Sequence, residues 1–246
     1  MTGDLGDTPV AGSPVTTLPA FLALGDSYSI GQGVEAGGRW PVQLARALRL
    51  EGRDLGEPRI VATTGWTTDE LDAGIDAAQA QSPIAGEHVL VSLLIGVNNQ
   101  YRGRPLDEFR VQFAALLQRA IAFAGNEPRR VLVLAIPDWG MTPFAIAQSR
   151  NPAQVAAQID AFNAVCRAEA LRAGAHWIDI APVSRERGAE PAMLADDGLH
   201  PSASMYALWS ALALPAAREA LQDRQALRMV SMDDAVALPA IRRDAG

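Results

Sequence analysis

Ser27 follows the apolar run Leu22-Ala23-Leu24 and opens onto a glycine-rich turn, Gly25-Asp26-Ser27-Tyr28-Ser29-Ile30-Gly31-Gln32-Gly33. A serine hydroxyl is a weak nucleophile and needs a base within hydrogen-bond reach. Asp197-Gly198-Leu199-His200-Pro201, far along the chain, offers one. Asp197 and His200 are close enough in sequence to share one turn, where the carboxylate can fix the imidazole tautomer and stabilise its cationic form. Asp196 is the neighbouring competitor, with the poorer spacing. His88 and His176, the other histidines, stand at the start of apolar runs, the wrong end to meet Ser27. Together these types allow nucleophilic attack assisted by a general base. Taken singly, each segment also has a plain structural reading: a turn with a helix cap for Gly25-Asp26-Ser27, and an acidic cap beside a surface histidine for Asp197 and His200.

Two further segments bear on the same chemistry. In Leu94-Ile95-Gly96-Val97-Asn98-Asn99-Gln100-Tyr101, the Asn98 carboxamide can donate a hydrogen bond to a developing oxyanion. In Thr63-Thr64-Gly65-Trp66-Thr67, Gly65 allows a backbone N–H to approach a ligand closely. Their plain readings are an Asx-turn and an ordinary turn or cap.

Positioning these residues requires elements that end near them. Apolar runs at 20–24, 59–62, 88–95, 130–136 and 175–180 predict buried strands, and helical spacing predicts helices over 40–50, 69–80, 106–123, 153–172 and 202–222. In the third helix Phe109, Phe113, Leu116, Leu117 and Ala120 share one face. Pro105 suits that helix's first turn, Gly174 the end of the fourth helix, and Pro201 the first turn of the fifth. Strand and helix alternate, and the strands are apolar throughout, so the fold class is α/β with a parallel sheet covered on both faces. In such a sheet, reactive groups gather at the carboxyl ends of strands. Ser27, Gly65, Asn98 and the Asp197–His200 pair all follow strands.

One domain spans 20–222. Residues 1–19 read as a loose lead-in, and residues 223–246, with Pro239 and the Arg242-Arg243 pair, as an irregular, partly docked tail.

The chain has 246 residues, 49% of them hydrophobic and 20% charged, enough for a sizeable core. A net charge of -7 without a basic cluster argues against nucleic acid as a partner. All the cationic side chains other than histidine are arginine. Cys166, the one cysteine, falls in an apolar-periodic stretch and reads as a small core residue. No secretory signal is evident, and the longest apolar run is too short to span a bilayer, so the expected setting is cytoplasmic, without stable membrane insertion.

The joint order of these segments resembles the SGNH hydrolases, the GDSL esterase and lipase family, from Phe21 to about Leu221. Gly25-Asp26-Ser27 resembles the family's first block, Gly65 the glycine of the second, Gly96-Val97-Asn98-Asn99 the third and Asp197-Gly198-Leu199-His200-Pro201 the fifth. The resemblance implies a three-layer α/β/α fold with a five-stranded, flavodoxin-like parallel sheet. It implies Ser27 as nucleophile, His200 as base and Asp197 as its partner, with the N–H groups of Ser27 and Gly65 and the Asn98 side chain forming an oxyanion hole. The implied activity is carboxylic ester hydrolysis through an acyl-enzyme, with no metal or organic cofactor. Asn99 stands where the family pattern has Asp, which bears on how the loop is braced.

Trp66, Tyr101, Trp139 and Met141 follow strands two to four and are expected to wall a pocket for a small-molecule ester, either lysophospholipid-like or carrying a small acyl or acetyl group. Two other readings stand beside this one. A phosphate-binding turn at Gly25 to Gly33 is disfavoured by the absence of either glycine-rich nucleotide motif and of lysine. A non-catalytic carbohydrate- or ligand-binding module on the same fold would have no use for a serine with a base.

Overall fold

The computed structural model describes residues 19–84 and 88–236, with side chains as far as residue 222. Five strands, β1 (Phe21–Gly25), β2 (Arg59–Ala62), β3 (Leu90–Leu94), β4 (Val131–Leu134) and β5 (His176–Ile178), form one sheet in the order β2-β1-β3-β4-β5. Every pairing is parallel, with Leu24 opposite Val61 on one side and Leu93 on the other. The chain steps outward from β1 to β2, then crosses to β3 on the other side of β1. This order reversal leaves a crevice at the carboxyl ends of β1 and β3.

Helices α2 (Trp40–Leu50) and α9 (Ala203–Val236) pack together on one face; α3 (Thr68–Gln81), α5 (Leu106–Phe123) and α7 (Pro152–Ala173) cover the other. Trp40 and Trp209 are fully buried between α2 and α9, while Phe109 and Phe113 are buried under α5. Each such side chain contributes about 1.5–3 kcal/mol by leaving water. Cys166 is buried in the same core, and burial pushes its thiol pKa upward, so it stays protonated and inert. Gly174 closes α7 in the left-handed conformation, as its position predicts.

Three local expectations are corrected. The chain from Asp223 continues α9 as helix to Val236, because Gln225-Ala226-Leu227-Arg228-Met229 are helix formers and no proline intervenes. Pro201 lies outside α9, which begins at Ala203; Ser202 Oγ accepts the Met205 N–H there (3.4 Å). Pro105 is the residue before α5 rather than within its first turn. The short helices α1 (Ser27–Ile30), α4 (Val97–Tyr101), α6 (Pro143–Ala147) and α8 (Ala181–Arg187) are too brief to show a period in the sequence. The lead-in at 1–18, Pro239 and the Arg242-Arg243 pair lie outside the described residues. Among the described residues no helix is long and apolar enough to cross a membrane.

Candidate active site

Ser27 is the first residue of α1, directly after β1. Asp26 caps that helix: its Oδ1 accepts the Tyr28 N–H (3.0 Å). Gly25 is required by close approach, since a Cβ there would lie 2.4 Å from the Leu94 carbonyl oxygen on β3. The sharp strand-to-helix turn thus rests on Gly25 and Asp26, and it delivers Ser27 to the crevice.

Asp26 is itself buried, with Oδ2 unpartnered. Burial pushes its carboxyl up to about 7, against the hydrogen bond from Tyr28. In the unfolded chain the group titrates near its ordinary 3.8. Between these values the folded state holds a proton that the unfolded state has lost, so stability falls as pH rises through this window. Asp26→Asn keeps the cap and removes the titration. Its unfolding free energy relative to the parent should therefore rise between pH 4 and pH 7 by on the order of 4 kcal/mol. Urea unfolding of both chains at pH 4 and pH 7 measures this; a difference independent of pH would contradict it.

Asp197 and His200 lie in the segment between α8 and α9. His200 Nδ1 is 2.5 Å from Asp197 Oδ2, while Asp197 Oδ1 accepts the N–H groups of Leu199 and His200 (2.9 Å each). Partial burial opposes the Asp197 charge, but the hydrogen bonds from the His200 ring and these two backbone groups outweigh it and hold the carboxyl below the ordinary aspartate range. The segment is fastened by the Ala195 N–H to the His200 carbonyl (2.7 Å) and by the Phe144 N–H to the Gly198 carbonyl (3.1 Å). The Tyr28 ring lies against the imidazole, with centroids 5.6 Å apart. The Tyr28 hydroxyl is held protonated by burial and by the nearby charges of Asp26, Asp197 and Asp138.

Asn98 is on α4, after β3. Its Nδ2 donates to the Trp66 carbonyl (2.9 Å), which uses one of the two amide hydrogens and fixes the plane of the group. Gly65 has φ +88°, a conformation that strains any residue with a Cβ. Arg102 holds the Gly65 carbonyl (2.6 Å) and also bonds Glu70 (3.2 Å), tying this turn to the start of α3. Asn99, the departure from the family pattern, is fully buried. Its Oδ1 accepts the Thr68 N–H (3.1 Å) and its Nδ2 donates to Thr68 Oγ1 (2.7 Å), so a neutral amide braces α4 against α3.

Ser27, Gly65, Asn98 and His200 all line one cavity of about 180 Å³. Its remaining wall is mostly apolar and includes Val97, Tyr101, Trp139, Phe144 and Leu199. Of the four residues expected to wall a pocket, Tyr101 and Trp139 line this cavity and Trp66 and Met141 do not. The Trp66 ring packs against Gly74 of α3, where a Cβ would meet the ring at 2.1 Å, and Met141 is outside the lining. Phe144 lines the cavity from the end of the 137–144 loop, the longest candidate pocket loop in the sequence, and Thr64 and Tyr28 line it without being expected as pocket residues. The only sequence signal for them is proximity to a motif or a strand end. Trp139 is nearly buried, and its Nε1–H donates to Gln100 Oε1 (2.9 Å). His88 and His176 lie at the opposite end of the sheet; His176 Nδ1 is 4.0 Å from Glu219.

A cavity that gathers a hydroxyl, an imidazole held by a carboxylate, a glycine turn and an amide donor is equipped for acyl transfer. Comparison with known proteins agrees. Residues 23–208 match the model of the GDSL-like Lipase/Acylhydrolase family. Among solved structures, TesA is similar at 23% identity and TM-score 0.64, over 82% of this chain and 99% of that one. The psychrotrophic esterase EstA from Pseudoalteromonas sp. is similar at 17% identity and TM-score 0.56, over 86% and 98%. A mutant of Axe2, an acetyl-xylooligosaccharide esterase from Geobacillus stearmophilus, is similar at 17% identity and TM-score 0.60, over 81% and 94%. No curated protein matches the chain.

Proposed function

The chain belongs to the GDSL-like lipase/acylhydrolase family and is a carboxylic ester hydrolase, and we propose that it cleaves small-acyl esters through an acyl-enzyme on Ser27. The observation that carries this reading is the shared cavity, lined by Ser27 and by a His200 imidazole already held by Asp197. Ser27 Oγ attacks the ester carbonyl as His200 takes its proton. Asp197 stabilises the imidazolium that results. The negative charge on the tetrahedral oxygen is met by the N–H groups of Ser27 and Gly65 and by the second Asn98 amide hydrogen. His200 returns the proton to the departing alkoxide. A water molecule then attacks the acyl-Ser27 carbonyl with His200 again as base, releasing the acid and restoring the serine.

The cavity volume favours a short acyl group. At about 180 Å³ it falls below the roughly 300–1,000 Å³ of sites that enclose drug-sized ligands. A long single-chain lipid acyl group would extend beyond it. The acetyl-xylooligosaccharide specificity of the similar Axe2 agrees with a small acyl group. A series of p-nitrophenyl esters from acetate to palmitate tests this. Turnover per KM should peak among the short acyl groups; a steady rise to palmitate would overturn the small-acyl reading.

A further inference from the structure

Arg150 follows α6 and is placed by a tight backbone arrangement. Ser149 takes φ +53°, the left-handed region that side chains other than glycine rarely enter. The Arg150 N–H then donates back to the Ala145 carbonyl (3.0 Å), closing α6. This turn brings the Arg150 guanidinium carbon to 5.2 Å from the Tyr101 ring centre and 5.9 Å from that of Trp139. Both rings line the cavity, and they meet edge to face at 5.5 Å. The two rings are braced independently of the arginine, Tyr101 by its hydroxyl to Gln148 (3.2 Å) and Trp139 by Gln100. Among the described residues no carboxylate lies within ion-pair distance of Arg150. The guanidinium is exposed, so it retains N–H groups directed to water. Arg150 is not itself a lining residue, but the two rings that wall this apolar side of the cavity carry its cation stacked against them.

We propose that Arg150 is a specificity residue: it selects esters with an anionic group on the part of the substrate that lies against the Tyr101–Trp139 wall. This rests on the esterase reading above and adds to it the charge of the substrate. A carboxylate, sulfate or phosphate ester group carries the same recognition chemistry, two oxygens facing a planar fork of donors. The charge is carried on either the acyl or the alcohol portion, whichever lies along that wall.

Two matched ester pairs distinguish the portions. Mono-p-nitrophenyl glutarate against its methyl ester places the charge on the acyl side; 4-sulfophenyl butyrate against phenyl butyrate places it on the alcohol side. For at least one pair, the ratio of kcat/KM, anionic over neutral, should fall by about three- to fivefold in Arg150→Gln, the scale of a solvent-exposed ion pair. Arg150→Lys should recover part of the ratio, and 0.5 M NaCl should lower it in the parent chain. A purely structural clamp would depress both members of each pair alike and leave both ratios unmoved, which would overturn the proposal. Calorimetric binding of octyl sulfate and octyl glucoside, each below its micellar concentration, reads the same discrimination without turnover. A chain that hydrolyses none of the four esters yet loses its sulfate preference in Arg150→Gln would sink the esterase reading and keep the anion site. Equal relative binding of the two ligands in the parent and the variant would sink the anion site alone.

Discussion

Ser27→Ala is expected to lower kcat on p-nitrophenyl butyrate by about 10⁴- to 10⁶-fold, with a correctly folded protein. The size of the effect follows from the division of labour in the cavity. Without Oγ no acyl-enzyme forms, and His200 is left as a base with nothing but water to activate. The oxyanion donors still bind a carbonyl, so the residual rate stays above that of water. Folding is spared because the turn depends on Gly25 and on the Asp26 cap, not on the Ser27 hydroxyl. Circular dichroism and the urea midpoint check the fold; a loss of activity below tenfold would contradict the assignment of Ser27.

Asn98→Ala is expected to reduce kcat by about 10²- to 10³-fold with a much smaller change in KM. An oxyanion donor acts most strongly where charge develops, so its loss is felt in the transition state more than in the bound substrate. The bond from Asn98 to the Trp66 carbonyl adds a structural part to the change, because alanine leaves that carbonyl without its donor. Asn98→Asp removes both donations at once, to the Trp66 carbonyl and to the oxyanion. It has nearly the same shape and an ionised carboxylate cannot donate, so it should lose at least as much kcat as alanine. If Asn98→Asp kept parental turnover, the assignment of Asn98 as an oxyanion donor would fail. Asn99 is a useful contrast: both of its amide atoms are committed to Thr68, so it holds the loop rather than the oxyanion.

The sheet and the long helices could be read in advance because they obey simple periods. β2, α2 and α5 begin and end where the apolar pattern places them. The Gly25-Asp26-Ser27 turn and the Asp197–His200 segment are readable for a different reason: short spacing and sharp turns are local properties of the chain. The pocket wall was readable only in part. Trp66 and Trp139 both follow strands, yet packing decides which ring faces the cavity. Gly74 makes room for the Trp66 ring on α3, whereas Gln100 draws the Trp139 indole inward. Arg150 lies far from any motif, and its position has meaning only once the rings from α4 and from the segment before α6 are seen beside it. The course of α9 past Asp223 is not legible in the sequence, because a polar, weakly periodic stretch of helix formers resembles a tail when read alone.

The central claim is that Ser27 is the nucleophile and that His200 makes it one. Treating the parent chain and His200→Ala with a fluorophosphonate, and locating the adduct by peptide mass spectrometry, tests it most directly. The predicted result is one adduct, on Ser27, in the parent chain, and little or none in His200→Ala. Labelling of another serine, or equal labelling of Ser27 in both chains, would contradict it.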